Sequence, residues 1–466
     1  MNVVDASFIT QLQSILGPSA VLTAHEDLVV YGFDGTAALK ARPGAVVLPS
    51  STEQVAACVK LAREASVPVV TRGSGTGLSG GSVPVEGCLV ICLVKMSRIL
   101  ELDEANLTLH AECGVITKDI DDAAARCGLF YPPDPGSMKI STIGGNVAEN
   151  SGGLRGLKYG VTRDYVMGLK VVLPTGEVVW LGNKCVKDVA GYSMKDLFIG
   201  SEGTLGIITE VTVRLYPQPE AISAAICNFP DLRSAVQSVI EVIQMGIPIA
   251  RVEFMDTAAV RATNAYSKLT LKESPLLLFE FHGSPSGVQE QAQVVQEITR
   301  ENGGMDFEWA DKAEDRSRLW TARHNAYFAG LQLRPGCRSS TTDVCVPISA
   351  LAECVAQTAA DMDQAPFPYT IVGHVGDGNF HVLMLLDADS QEEWDESERL
   401  NHRLVERAIA MQGTCTGEHG VGLHKMEFML AEHGQDALDV MSSIKQALDP
   451  HNIMNPGKML PPRPLD

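Results

Sequence analysis

Three histidines and one glutamate lie in two short glycine-rich segments in the C-terminal half of the chain. Residues 373–381 read GHVGDGNFH, and residues 417–420 read GEHG. Imidazole nitrogens and carboxylate oxygens bind divalent metal ions, and an imidazole outside the ligand set can accept a proton. These residue types indicate a metal site with an adjacent base, which favours catalysis over simple binding.

The spacing of the first segment predicts a β-hairpin of residues 369–374 and 380–386, with GDGN supplying the turn. On facing strands, His374 and His381 would lie about 5 Å apart at Cβ and could bind one ion. Glu418 would be the third ligand, which leaves coordination positions for a substrate, as in catalytic metal sites. The alternative is that both histidines are turn residues hydrogen-bonded to the backbone.

The composition predicts a globular protein that does not bind nucleic acid. The chain has 466 residues, of which 45% are hydrophobic, so we expect two or three domains. A formal net charge of −20 argues against phosphate contacts with DNA or RNA. The eleven cysteines include no CxxC pair, so no zinc ribbon or iron–sulphur site is expected.

Location is predicted from the same features. The odd number of thiols and the start MNVVDASFITQLQ, which has no basic or apolar signal region, favour a reducing, cytoplasmic compartment. No apolar run approaches the length of a bilayer crossing, so we expect no transmembrane segment and at most peripheral contact with a membrane.

The first half of the chain predicts a phosphate-binding loop. Residues 51–65 have helical periodicity, and a short strand at 67–71 leads into RGSGTGLSGG, residues 72–81. Dense glycine lets several backbone N–H groups surround an anion, and Arg72 can add charge. The GxGxxG within this loop would need a following helix in a Rossmann fold, but a strand at 88–94 follows. We therefore expect a different nucleotide-binding fold.

Two more glycine-rich segments follow in the same half. Residues 132–156 contain too many Pro, Gly and Ser residues for regular structure, and we expect a functional loop there. Residues 200–206, GSEGTLG, precede a strand at 207–215. Three such loops predict one long ligand held at several points.

The pattern changes after residue 217. Strands are predicted at 222–228, 250–255, 275–282 and 306–309, and helices at about 231–245, 288–301 and from Ser390 onward, where Glu393 completes a capping box. This alternation predicts an open sheet backed by helices. The ending LDPHNIMNPGK, residues 448–458, is rich in turn residues and would be disordered unless it binds elsewhere on the protein.

These motifs, with PPDPG, GEHG and NPGK, resemble the flavin-dependent 2-hydroxyacid dehydrogenases of the vanillyl-alcohol oxidase type over residues 43–460. The resemblance implies an α+β fold. It places an FAD-binding domain of two subdomains at residues 1–217, a ferredoxin-like cap domain at 218–417, and a C-terminal segment at 418–466 that returns to the flavin.

The resemblance also implies which residues bind FAD. They come from the three glycine-rich segments and the tail: Arg72, Gly73, Ser74, Gly75, Thr76, Gly77, Ser79, Asp134, Ser141, Gly144, Gly145, Asn146, Ser151, Glu202, Ile208 and Asn455. Some relatives tether the flavin through a histidine or cysteine in or near the first two loops. Neither loop contains such a residue here, so we expect noncovalent FAD.

The catalytic roles are carried over in the same way. In related enzymes, residues matching His374, His381 and Glu418 bind zinc or manganese, and iron suits the same ligands. His419 would be the base, and Arg323 would bind the substrate carboxylate bidentately. The metal and the base would help the hydroxyl lose its proton while the flavin takes a hydride.

The substrate expected from this resemblance is a small D-2-hydroxy acid. Relatives that use 2-hydroxyglutarate tend to have a lysine and an asparagine where this chain has Thr341 and Leu383. A second carboxylate would be buried without a cation, which is costly. D-Lactate and glycolate are therefore ranked together, with D-2-hydroxyglutarate as an alternative.

The electron acceptor stays open between a quinone, a cytochrome, an electron-transfer flavoprotein and an iron–sulphur subunit. Three other functions compete with this interpretation. They are a flavoprotein oxidase or synthase of the same fold, a flavoprotein subunit of a multi-subunit glycolate oxidase complex, and a metal-dependent hydrolase with a nucleotide substrate.

Overall fold

The computed structural model describes residues 4–36, 39–310 and 312–462, and these form two compact units. The first unit contains Met1–Gly152, Val161–Gln218 and Glu418–Asp466, and the second contains Gly153–Gly160 and Pro219–Gly417. Residues 1–3 and 463–466, which fall in the predicted terminal segments, lie outside the described residues.

The first unit is built around two sheets and a two-stranded ribbon. Four strands lie in the order β1-β2-β4-β3, with β2, β4 and β3 parallel: β1 Val21–Leu22, β2 Ala45–Val47, β3 Val69–Arg72 and β4 Leu89–Cys92. Five antiparallel strands follow the order β5-β6-β10-β8-β9, and β7 pairs with β11: β5 Ile99–Asp103, β6 Thr108–Glu112, β7 Leu129–Phe130, β8 Val166–Val172, β9 Val178–Gly182, β10 Ile207–Arg214 and β11 Tyr216–Pro217.

Helices of the first unit are α1 Ala6–Leu16, α2 His25–Val29, α3 Thr52–Glu64, α4 Thr117–Ala125, α5 Ile143–Glu149, α7 Met194–Phe198 and α15 Met429–Leu448, which is interrupted at Gly434. Helix α3 begins as the sequence predicts, because Ser51 Oγ accepts a hydrogen bond from Gln54 N. Its buried face packs with α1 and the four-stranded sheet.

The C-terminal residues are an integral part of the first unit. Ile453 and Met454 are buried in the core beneath the four-stranded sheet, and Met454 forms a parallel bridge with Val69. The turn-rich ending is therefore ordered by binding to the unit that contains the N-terminal sheet, and the helix that precedes it, α15, was not predicted.

The second unit is an antiparallel sheet backed by helices, as predicted. Its strands follow the order β15-β12-β14-β13-β18-β19-β16, with β17 also on β19: β12 Ala221–Asn228, β13 Arg251–Met255, β14 Leu276–Gly283, β15 Met305–Ala310, β16 Arg338–Thr341, β17 Val344–Cys345, β18 Tyr369–His374 and β19 Asn379–Leu386. Its helices are α6 Gly156–Tyr159, α8 Leu232–Gln244, α9 Thr257–Ser267, α10 Pro285–Glu301, α11 Ala313–His324, α12 Ala326–Leu331, α13 Leu351–Met362 and α14 Gln391–Ala410.

The segment Gly153–Gly160 belongs to the second unit although the chain on both sides of it belongs to the first. Leu154 packs in a core cluster with Met255 and Trp320. Tyr159 Oη lies 2.8 Å from His282 Nδ1, and Lys158 Nζ donates to the carbonyl oxygen of His282 at 2.8 Å. These contacts hold the segment firmly in the second unit.

None of the helices in the described residues is long and apolar enough to span a membrane.

Candidate active site

The first glycine loop runs from strand to strand. It leaves β3 at Arg72 and reaches β4, which is parallel to β3, without an intervening helix. The expectation that this GxGxxG is not a Rossmann motif is confirmed. Glycine is required at Gly73, where a Cβ would lie 2.1 Å from Thr142 Oγ1 in the second loop.

The second loop contains a helix, so the prediction that residues 132–156 lack regular structure was wrong. Helix α5 begins after Thr142, whose Oγ1 accepts a hydrogen bond from Gly145 N, and ends at Asn150 in the left-handed conformation. Its glycines permit close packing, because a Cβ at Gly144 would lie 2.5 Å from Cys113 Cβ. The cap and this tight packing outweigh the low helix propensity of glycine.

The three loops and the tail meet within the first unit. Gly200 N and Glu202 N donate to carbonyl oxygens at the end of α5, at Val147 and Ala148. Asn455 Nδ2 donates to the carbonyl oxygens of Gly81 at 2.9 Å and Glu202 at 2.6 Å. Segments that are far apart in the sequence thus surround one region, as a ligand held at several points requires.

Buried polar atoms in this region fit a polar ligand such as FAD. Ser79 Oγ, Ser141 Oγ and Asn455 Oδ1 are buried and have no hydrogen-bond partner among the described residues. Since buried polar atoms are normally hydrogen-bonded, these three mark places where a cofactor can supply the missing partners. The other predicted contacts lie in the same loops or, for Ile208, in β10.

Asn146 and Arg72 are predicted FAD contacts whose side chains donate to protein atoms. Asn146 Nδ2 donates to Thr117 Oγ1 at 2.5 Å. Arg72 Nη1 donates to the carbonyl oxygens of Tyr31 and Phe33 at 3.3 and 2.9 Å. The expectation that Arg72 adds charge beside a phosphate stays a prediction, and its observed role is to hold the backbone near Tyr31.

Buried ionisable side chains that the sequence reading missed lie beside the first loop. Burial raises the pKa of Glu149 well above its usual value, and the charges of Glu202 and Asp34 raise it further. Burial also raises the pKa of Glu202. Lys458 Nζ donates to the carbonyl oxygen of Gly81 at 2.8 Å, and burial lowers its pKa to about 8. The lysine of the NPGK motif was the available signal for this cluster.

The GEHG segment is held against the same loops. A Cβ at Gly152 in the second loop would lie 3.0 Å from Glu418 Oε2. His419 Nε2 lies 3.9 Å from Glu418 Oε1. Gly420 has φ +85°, which favours glycine, and Ser79 O accepts a hydrogen bond from Leu423 N at 2.9 Å. The predicted ligand and the predicted base therefore lie in the first unit, next to the glycine-rich loops.

The hairpin of the second unit forms as predicted, with one correction. Its second strand begins at Asn379, which pairs with His374, whereas His381 pairs with Val372. The two histidines are therefore diagonal neighbours on one face and not directly opposite each other. Their ring centroids are 5.5 Å apart, and each offers a ring nitrogen within 4.8 Å of the other's.

Both histidines are oriented through Nδ1. His374 Nδ1 lies 2.7 Å from Glu253 Oε1, and His381 Nδ1 donates to the carbonyl oxygen of Thr342 at 3.1 Å. A proton on Nδ1 leaves the lone pair on Nε2, which is the tautomer of metal-binding histidines whose second nitrogen is hydrogen-bonded. This donor set fits a divalent metal ion.

Glu253 joins the predicted carboxylate-binding arginine to this pair. Its side chain is 0% exposed, and its Oε2 lies 2.6 Å from Arg323 Nη2 while Oε1 contacts His374. Arg323 Nε is buried without a hydrogen-bond partner in the described chain. Sequence reasoning missed Glu253, although a glutamate within the apolar strand β13 was a usable signal.

A second acid lies on the other side of the pair. Asp343 Oδ1 lies 3.7 Å from His381 Nδ1, and Asp343 also accepts hydrogen bonds from Asn379 and Thr416. A Cβ at Gly417 would lie 3.1 Å from Asp343 Oδ1.

The family comparisons cover both units. Residues 43–182 match "FAD binding domain", and residues 218–459 match "FAD linked oxidases, C-terminal domain". The chain is 41% identical over 455 residues to a probable mitochondrial D-lactate dehydrogenase of Danio rerio, covering 97% of this chain and 91% of the relative. It is 40% identical over 451 residues to the glycolate oxidase subunit GlcD of Bacillus subtilis, covering 96% of each.

Solved structures show the same fold. The structure of p-cresol methylhydroxylase with substrate bound aligns with a TM-score of 0.81 at 19% identity, over 97% of this chain and 96% of that one. The 4-ethylphenol oxidase of Gulosibacter chungangensis, in complex with isoeugenol, also gives 0.81 at 19% identity, over 98% and 97%.

The shared architecture and the converging glycine loops define a flavoprotein of the vanillyl-alcohol oxidase type. With two matched domains and relatives at 40% identity, the chain belongs to the family of FAD-linked oxidases that includes D-lactate dehydrogenases and glycolate oxidase subunits. It is accordingly an FAD-dependent oxidoreductase.

Proposed function

We propose that this enzyme oxidises a small D-2-hydroxy acid, D-lactate or glycolate, to the 2-oxo acid, using FAD, a divalent metal ion and a histidine base. The main support for this proposal is that the carboxylate of Glu253 contacts both His374 and Arg323. One buried carboxylate thereby ties a candidate metal ligand to the candidate carboxylate-binding group. The names of the relatives supply the substrate class.

Arg323 binds the substrate carboxylate in this proposal. The guanidinium is 8% exposed and has Glu253 on one side, so its position is fixed before substrate arrives. Its Nε lacks a partner among the described residues, which leaves donor capacity for a second carboxylate. Because the site is desolvated, such a charge-assisted contact is stronger than on the surface.

His374, His381 and Glu418 are the proposed metal ligands, and His419 is the proposed base. When bound, the divalent ion would make the substrate hydroxyl more acidic, and FAD would supply the hydride acceptor. His419 receives the hydroxyl proton. Because Glu418 precedes it directly, the proposed metal ligand and the proposed base are adjacent in the chain. Zinc, manganese and iron all suit two imidazoles and one carboxylate.

The substrate is limited to a monoacid by two facing residues. Thr341 and Leu383, the positions at which relatives that use 2-hydroxyglutarate are cationic or polar, pair directly across β16 and β19. Leu383 is 4% exposed, and a Cβ at Gly330 would lie 2.5 Å from its Cδ2. A second substrate carboxylate at this position would have no cation from either residue.

Anaerobic mixing tests the substrate class. D-Lactate or glycolate is expected to bleach the flavin absorbance of the purified protein, whereas D-2-hydroxyglutarate should act far more slowly. H419A is expected to keep the yellow colour and abolish bleaching. Faster reduction by D-2-hydroxyglutarate, or full activity after complete removal of metal, would contradict the assignment.

A second candidate is a flavoprotein subunit of a larger complex, favoured by the relative named as a glycolate oxidase subunit. The electron acceptor in either case is a quinone, a cytochrome, an electron-transfer flavoprotein or an iron–sulphur subunit. Two measurements on the isolated chain separate an autonomous dehydrogenase from a subunit that needs partners. The first is turnover with an artificial electron acceptor, and the second is bleaching of the flavin by substrate alone.

A further inference from the structure

Glu202 lies in the third glycine loop, but its carboxylate faces the backbone of the C-terminal segment. Oε1 accepts a hydrogen bond from Val421 N and Oε2 accepts one from Gly422 N, each at 2.7 Å. Both oxygens are therefore occupied by protein. That Glu202 lines the FAD stays a prediction.

The backbone of Glu202 is itself fixed. Its residue is 5% exposed and has φ +50°, a left-handed conformation that is unusual outside glycine. Its N donates to Ala148 O at 2.9 Å, and its carbonyl oxygen accepts from Asn455 Nδ2 at 2.6 Å. The carboxylate thus projects from a rigid base formed by three segments of the first unit.

The two N–H groups follow directly after the GEHG segment. A Cβ at Gly420 would lie 2.9 Å from Glu202 Oε1 and 2.3 Å from Glu149 Oε2. The chain at Gly420 therefore packs against Glu149 and Glu202. The N–H groups of the next two residues both donate to Glu202. Glu418 and His419 are two to four residues before these two amides, so the anchor restrains the backbone close to both of them.

We propose that Glu202 is a positioning residue, whose carboxylate fixes the turn after Gly420 and so aims Glu418 at the metal and His419 at the substrate. The inference rests on the proposed function, because it takes Glu418 as a metal ligand. A carboxylate suits this task since each oxygen accepts one N–H group. A glutamine would present an NH₂ donor to one of the two amides.

The neighbouring acid supports this division of roles. Burial raises the pKa of both acids. At Glu149 the charges of Glu202 and Asp34 raise it further, whereas at Glu202 the two backbone N–H groups oppose the effect of burial. The first proton that this pair takes up therefore resides on Glu149, which leaves the Glu202 carboxylate as the acceptor for both amides.

The test measures Mn²⁺ affinity and FAD content in holoenzyme variants. E202Q is expected to keep one FAD per chain and to bind Mn²⁺ about 10- to 100-fold more weakly, the usual effect of removing a group that orients a metal ligand. The matched control is E149Q, which alters the adjacent acid without removing an acceptor of Val421 or Gly422. It should bind Mn²⁺ and FAD as the wild type does.

E418Q separates failure of the proposal from failure of the proposed function. Wild-type Mn²⁺ affinity in E418Q would remove Glu418 from the ligand set. If E418Q loses Mn²⁺ while E202Q binds it normally, the positioning role of Glu202 is overturned. Loss of FAD together with Mn²⁺ in folded E202Q also overturns it, because the side chain would then serve the flavin.

If E202Q does not fold, E202D provides a second test of the positioning role. The shorter aspartate retains the charge but can reach only one of the two amides. An intermediate loss of Mn²⁺ affinity with full FAD content is the expected result. Unchanged Mn²⁺ affinity in E202D would overturn the proposal.

Discussion

Two buried carboxylates, one in each unit, have pKa values that are shifted in opposite directions. Glu280 in the second unit and Glu202 in the first are 4% and 5% exposed. Burial by itself acts to raise the pKa of both carboxyl groups. At Glu280, however, Arg251 at 2.5 Å and His282 at 2.8 Å outweigh burial and lower the pKa to about 2. At Glu202 two backbone N–H groups do not, and the pKa stays raised.

The difference teaches that a charged partner compensates for lost water more fully than neutral donors do. Glu280 is therefore held ionised and paired, in a network in which Arg251 also stacks 3.4 Å from the ring centroid of Trp320. In the first unit, the acids beside the glycine loops keep protons at higher pH. We expect Glu280 to respond to mutation and to pH in the opposite way from the acids that keep protons, which are Glu149 and Glu202 in the first unit and Asp256 in the second.

The largest effect is expected at Glu253, where a third buried carboxylate holds two functional groups. E253Q should lower kcat/KM for D-lactate or glycolate about 10- to 100-fold, because His374 and Arg323 both lose their ionic partner. Steady-state kinetics measure this. E308Q, on an exposed position of β15, is the control and should act as the wild type.

Breaking an ion pair directly tests the contrast between Glu280 and the acids of the first unit. E280Q should lower the free energy of unfolding by about 3 to 5 kcal/mol, since it leaves Arg251 buried without its carboxylate. E149Q should change it by about 1 kcal/mol or less, because the native carboxyl already carries a proton. Urea denaturation followed by tryptophan fluorescence compares the two. Equal losses would remove the contrast.

The pH dependence of stability should contain two slopes of opposite sign. The pKa of Glu280 is lowered to about 2, so its stabilisation is present above pH 4.5 and is lost as pH falls towards 2. Burial raises the pKa of Asp256 to about 7, so its folded form is favoured at low pH and stability falls as pH rises from 3.8 to 7. Free energies of unfolding from urea denaturation at pH 3 to 8 should lose the acid slope in E280Q, about 2 kcal/mol over the measured range, and the neutral slope in D256N, about 4 kcal/mol.

The smallest effect is expected in the first glycine loop. A Cβ at Gly77 would meet no protein atom closer than 3.8 Å, so G77A should fold normally. Its methyl group should weaken FAD binding about tenfold, or 1.4 kcal/mol, by blocking close approach of the cofactor to the backbone. G136A, where a Cβ would meet nothing within 4 Å, is the control and should retain wild-type FAD affinity. Titration of apoprotein with FAD measures both.

The sequence predicted elements whose signals are local. Helix α3 and the histidine hairpin follow from residue periodicity and turn residues within a few positions. The absence of a helix after the first glycine loop was read correctly for the same reason. Helix α5 was missed because its stability comes from packing against Cys113, which no neighbouring residue reveals.

The site was predictable only in part. Motif residues such as His374, His381 and Arg323 could be named, whereas Glu253 stood out only as a glutamate within an apolar strand, without any sign of its partners. Glu253 lies about 70 and 120 positions from its partners, so only the sheet register brings them together. The role of Glu202 was likewise hidden, since its partners are backbone amides that any sequence would supply.

The segment Gly153–Gly160 has a consequence for synthesis on the ribosome. Eight residues that the second unit requires emerge before most of that unit exists, and the first unit lacks its segment that begins at Glu418 until the whole second unit has been translated. The first unit therefore cannot finish folding before the second unit has been made. We expect the nascent protein to depend on chaperones until release, and expression of either half alone to give insoluble product.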